Sequence, residues 1–163
     1  MIISQDLDTI KSAQLLQSHC ELIRVALRQC HATVEGPQAD NKPPFSLRVS
    51  HNSVAHALLD SVLRIEVHFQ VQSFDTSEEP SLIFSVVCAF DLDYSIEDKT
   101  YQPTPESIAA FKDGTAVFNS WSYARELVQS LTSRMLLQPP PLPLLRVVPK
   151  HVPAEQTAIV GKK

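Results

Sequence analysis

From Leu63 to Gln72 the chain alternates without error. Leu63, Ile65, Val67, Phe69 and Val71 are apolar, and Arg64, Glu66, His68, Gln70 and Gln72 between them are polar. A period of two over this length fits only a strand with one buried and one wet face, because a helix would scatter the same residues around its circumference. The run Ser61 to Ser73 therefore predicts a long strand, over about 30 Å at roughly 3.3 Å per residue. Asp75 to Pro80 reads as a turn from its Asp, Ser and Pro content. Ser81 to Tyr94 follows as a second strand, with Leu82, Phe84, Val86, Cys88, Phe90 and Leu92 on one face. Ile83, Val87 and Ala89 on its other face place it centrally in a sheet or under cover on both sides. The two runs form a hairpin.

Two earlier segments repeat the pattern. Between Glu21 and Val34, Ile23, Val25 and Leu27 alternate with Arg24, Ala26 and Arg28. Phe45, Leu47 and Val49 alternate with Ser46, Arg48 and Ser50 in a shorter strand, after a Pro-containing crossover from His31 to Pro44. Asn52 to Asp60 fits either a helical turn or an irregular connection.

The helical part begins at Thr104-Pro105-Glu106: a capping hydroxyl, proline at the first helical position and an acid beside the helix dipole. Gly114 is expected to interrupt or restart it. Beyond it Val117, Trp121, Ala124, Val128, Leu131 and Met135 fall at steps of four and three. Such a seam suits contact with another helix or with the chain's own sheet. Pro139, Pro140, Pro141 and Pro143 forbid regular helix afterwards. The interleaved Leu142, Leu144, Leu145 and Val147 argue that this segment packs on the body. Residues 1–150 thus read as one domain, and 151–163 as a polar tail expected to be flexible.

A net charge of −4 argues against a general electrostatic grip on nucleic acid. No stretch reaches about 18 apolar residues, so no membrane span is expected, and Met1 to Ile10 lacks the build of a signal peptide. Three cysteines, an odd number without C-x-x-C spacing, suit a reducing compartment, and the reading is cytoplasmic. No Gly-x-Ser-x-Gly exists, and three glycines leave little room for an oxyanion nest. His51 and His56 are not spaced as i, i+4 ligands, and Cys20 and Cys30 would lie about 33 Å apart along a strand. Asp91 and Asp93 share a strand face and could form an acid–base pair, though a solvated strand end explains them better. No catalytic residue, metal or cofactor is assigned, and the chain reads as a binding protein rather than an enzyme.

The order of four strands, a long helix and a Pro-broken apolar segment resembles the SecB family of protein-export chaperones. The likeness is carried by residues 117–134, from Val117-Phe118-Asn119-Ser120-Trp121 to Ser130-Leu131-Thr132-Ser133-Arg134, and by Leu142-Pro143-Leu144-Leu145-Arg146-Val147. Within it stand the Arg125-Glu126 pair, the Ser130-x-x-Ser133-Arg134 pattern and the prolines that follow. These features are closest to the divergent SecB-like proteins of diverse bacteria. The first hundred residues match the family only in strand order.

The resemblance implies an α+β fold: a four-stranded antiparallel sheet with the long C-terminal helix packed on it. It also implies an ATP-independent holdase for unfolded or nascent polypeptides, with a role in protein export, assembled as a homodimer or as a dimer of dimers (a homotetramer). Candidate client-binding residues are Ile23, Val25, Leu27, Phe45, Leu47, Leu142 and Leu144, each of which also suits a core. Trp121 and Met135 are the candidates for an oligomer interface. The outward sheet positions Arg24, Arg28, Arg48, Arg64 and His68 predict a cationic face, which argues against docking on the SecA motor. A dedicated chaperone for one partner, such as a toxin–antitoxin pair, is the second reading. A small-ligand module or enzyme is the third.

Overall fold

The computed structural model describes residues 2–35, 46–55, 58, 60–135, 137 and 140–150. In chain order the elements are β1 (Ile2–Gln5), α1 (Leu7–Gln17), β2 (Cys20–Val34), β3 (Ser46–Ala55), β4 (Val62–Phe74), β5 (Leu82–Ile96), α2 (Pro105–Phe111), α3 (Val117–Arg134) and β6 (Arg146–Pro149). Four of them make one antiparallel sheet in the order β2-β5-β4-β3. The expected hairpin is β4–β5, running from Val62↔Ser95 to Phe74↔Leu82. β2 and β3, consecutive in sequence, are the two edges. The expected 151–163 tail lies outside the described residues.

β4 behaves as its alternation dictates. Leu63, Ile65, Val67, Phe69 and Val71 are sealed from solvent, while Arg64 and Gln70 are exposed. On β5 the even-numbered residues from Phe84 to Tyr94 join the same core. Its opposite face also carries apolar Val87 and Ala89, as a central strand should. β3 is longer than expected. The strand continues through Ala55, so residues 52–55 are neither a helical turn nor an irregular connection. The chain then turns into β4 through Asp60 and Ser61, both with positive φ.

The helix starts where its cap places it. Thr104 Oγ1 accepts from the Ser107 amide at 3.1 Å. Gly114 does not break it. A π-helical turn at Lys112–Ala116 joins α2 to α3, giving a helical run of 30 residues. α3 lies across β4 and β5, and Val117, Trp121, Ala124 and Val128 of the seam are buried in the core. The rings of Trp121 and Phe69 sit 5.3 Å apart, and Tyr94 meets Phe111 edge-on at 4.8 Å.

Three elements were not anticipated: α1, β1 and β6. α1 is capped by Asp6, whose carboxylate accepts from the Thr9 amide at 2.7 Å, and packs against α2. β1 pairs in parallel with β6, Ile2↔Arg146 to Gln5↔Pro149. Gly114 lets the Gln5 side chain approach closely here: a Cβ on it would lie 3.0 Å from Gln5 Oε1, and the amide would have to shift by a few tenths of an ångström. The segment 140–145 between α3 and β6 forms an irregular strap. Leu142 and Leu145 bury on the core, and Pro143 O accepts from Trp121 Nε1 at 2.9 Å.

Candidate functional site

β2 does not keep the simple alternation that its sequence suggests. Two bulges, between Leu22 and Arg24 and between Leu27 and Gln29, shift its register on β5. Each inserts one residue and moves everything beyond it to the other face. Side chains opposite the buried row of β5 therefore come from Leu22 (Tyr94), Val25 (Leu92), Leu27 (Phe90), Cys30 (Cys88), Ala32 (Val86) and Val34 (Phe84). Ile23 falls at the first bulge and is 55 % exposed.

This inner row of β2 is only half covered. The β5 residues opposite it are at most 4 % exposed, because α3 lies above them. Leu27 is 49 % exposed, Cys30 is exposed, and Val25, Ala32 and Val34 are half-buried. Tyr123, on the flank of α3 facing this row, stands 6.5 Å from the Phe90 ring and is itself largely exposed. The result is an apolar strip along the sheet–helix boundary. Leu27, Cys30 and Tyr123 are its open members, and Leu127 of α3 is half-buried. Burial also pushes the Cys30 thiol pKa up, so the side chain acts in the strip as a small hydrophobe.

The sheet face away from the helix is polar. Asp93 takes hydrogen bonds from Arg24 Nε and Arg64 Nε at 2.7 Å each. Glu66 pairs with Arg28 Nη1 and His68 Nε2, again at 2.7 Å. Arg28 Nη1 also lies 3.6 Å from Asp91. The expectation of a cationic face is thereby corrected. Acids on β5 and β4 pair with Arg24, Arg28 and Arg64 across the strands, while Arg48 lies over the Phe74 ring, so the charge argument against a SecA partner loses much of its premise. Asp93 is thus held by two arginines, whereas Asp91 has only the 3.6 Å approach of Arg28, its Oδ1 buried without a hydrogen bond.

The seven candidate client-binding residues divide sharply. Ile23 and Leu27 are exposed on β2, and Val25 is half-buried beside them. Leu47 is half-buried on the other edge strand. Phe45 lies outside the described residues. Leu142 is only 4 % exposed and belongs to the core, because the strap turns it inward, while its neighbour Leu144 is 66 % exposed. Trp121 is likewise enclosed by its own chain at 3 % exposure, its indole N–H satisfied by the strap. Met135, the C-cap of α3, is half-buried.

Sequence reasoning passed over Tyr123 and Cys30, the partners of Leu27 in the strip. The available signal was an aromatic residue on α3 off the seam positions. Among the described residues no group of three or more His, Cys, Asp or Glu side chains could hold a metal ion. No described helix is long and apolar enough to cross a membrane. His19 is stacked on Tyr101 at 4.0 Å.

No family model and no curated protein sequence matches the chain. Among solved structures, it is similar to a SecB-like chaperone from Mycobacterium tuberculosis, solved in complex with a ChAD peptide from the HigA1 antitoxin. The TM-score is 0.72 at 19 % identity, over 85 % of this chain and all of that one. A protein of unknown function from Streptococcus agalactiae matches far more loosely, with a TM-score of 0.40 at 11 % identity over 74 % of this chain and 92 % of that one. The four-stranded antiparallel sheet and the long helix across it match a SecB-like fold.

Proposed function

We propose that this chain is an ATP-independent chaperone that holds unfolded or nascent polypeptide. The observation that supports this best is the apolar strip of β2. Its inner row is left half open beside α3 on a fold otherwise well packed. Exposed apolar area is non-directional, so it accepts many sequences without a fitted pocket. An extended client also finds an edge strand there, with backbone groups available for pairing. The role is one of binding rather than catalysis. The working form is a homodimer or a dimer of dimers in the cytoplasm, and a place in protein export is part of the same reading. The decisive measurement is light scattering of an unfolding client with the chain at stoichiometric ratio. Aggregation is expected to slow markedly without nucleotide; unchanged aggregation would overturn the assignment.

A second reading is favoured by the Mycobacterium tuberculosis structure, in which a protein of this fold holds an antitoxin peptide. Here the chain would serve one partner, such as the antitoxin of a toxin–antitoxin pair. Protection of a single partner, with no effect on unrelated unfolded proteins, would select this reading over the general one.

A further inference from the structure

On the flank of α3 opposite Tyr123, the helix and the strap enclose an open groove of about 410 Å³, lined by Phe118, Trp121, Ser122, Arg125, Leu144 and Arg146 among others. Its floor is apolar and closed, formed by Trp121 and Leu145, both nearly inaccessible to water. Its rim carries two large exposed apolar side chains, Phe118 at 53 % and Leu144 at 66 %.

The charges beside this apolar ground are of one sign. Arg125 and Arg146 line the groove, and no Asp or Glu does. Arg125 Nε is buried and has no hydrogen-bond partner. A guanidinium keeps its charge at any physiological pH and donates only. A buried donor without an acceptor costs about 1–3 kcal/mol, so an arriving acceptor would relieve a cost already present in the free chain. The arginines of the open sheet face differ, since Arg24, Arg28 and Arg64 are each matched by a carboxylate within 2.7 Å.

We infer that the α3–strap groove takes an extended polypeptide segment in which a bulky apolar side chain stands next to Asp or Glu. The apolar side chain rests between Phe118 and Leu144, and the carboxylate pairs with Arg125 and Arg146. This rests on the polypeptide-binding reading above and narrows the class of partner, giving the chain a preference for acidic over basic flanks.

The single tryptophan of the sequence, Trp121, lines the groove and reports occupancy by fluorescence. Three Trp-free peptides sharing one Leu- and Phe-containing centre, flanked by Glu, Gln or Lys, are titrated into the full chain. The Glu-flanked peptide is expected to bind roughly three- to tenfold tighter than the Lys-flanked one, the yield of one or two partly exposed ion pairs. That ratio should shrink with added salt. It should approach one in Arg125→Gln, and fall partway in Arg146→Gln, whose exposed side chain is not required for folding. The Gln-flanked peptide should keep its affinity in both variants. Binding that ignores the flanks, or a preference that survives both substitutions, overturns the inference and leaves polypeptide binding standing. Failure of all three peptides to bind overturns both.

Discussion

Asp93 takes hydrogen bonds from Arg24 and Arg64 at 2.7 Å each, and it is the buried member of that trio. The Arg64 hydrogen bond above all, with Arg24 adding to it, holds the Asp93 carboxyl below its ordinary pKa, while burial pulls the other way. A lowered folded-state pKa means stability that is present above the unfolded value and lost as pH falls through the folded one. Asp93→Asn keeps the shape and removes the charge. It is expected to cost about 1–2 kcal/mol at pH 7, the low end for charged hydrogen bonds because both guanidiniums are half exposed. The gap to wild type should close below about pH 4 as the native carboxyl is protonated. Urea midpoints for the two proteins across pH 3 to 7 test this, and equal midpoints at pH 7 would refute it.

At the scale of elements, β4 and β2 show what a sequence discloses and what it conceals. β4 was readable because an unbulged strand converts alternation directly into faces. β2 carried the same signal, yet the two bulges rephase it, so Leu22, Val25 and Leu27 share the inner row and Ile23 is left at a bulge. A bulge is written in pairing with a neighbour, which no local pattern contains. α1 was missed for another reason. Only Ala13 and Leu16 of its residues are buried, while Leu7 and Leu15 face outward, so its apolar period is faint. The strip that emerges can be tested directly. Leu27→Ser and Tyr123→Ser alter largely exposed side chains and should change stability by no more than about 0.5 kcal/mol each. Together they should reduce the suppression of client aggregation severalfold. Retention of full suppression by the double variant would remove the strip from the proposal. Leu92→Ser, on the buried row opposite, serves as the contrast and should destabilise the fold itself.

For the molecule as a whole, the place of β5 inside the sheet and the helix start at Thr104 followed from pattern and capping, and the α+β layout from the family resemblance. The strap's inward and outward leucines did not. Leu142 and Leu144 are alike in sequence context, and only the irregular path between α3 and β6 separates core from surface. Assembly is the property on which this level bears. Sedimentation equilibrium at micromolar concentration is expected to give a multiple of 18.2 kDa. Met135→Lys should shift it toward the single-chain mass, and Trp121→Phe should leave it unmoved, since that indole is already enclosed. A single-chain mass for the unaltered protein would exclude the oligomer.

The parallel pairing of Ile2–Gln5 with Arg146–Pro149 also sets a timetable. Ribosomes release residues in order, so the earliest-made strand must wait on the order of 140 residues for its mate, the most distant closure in this topology. The antiparallel sheet can form while those four residues are still unpartnered. Closure of the β1–β6 ribbon, with the docking of Gln5 against Gly114, is therefore expected to come last, on a centre that can already have folded.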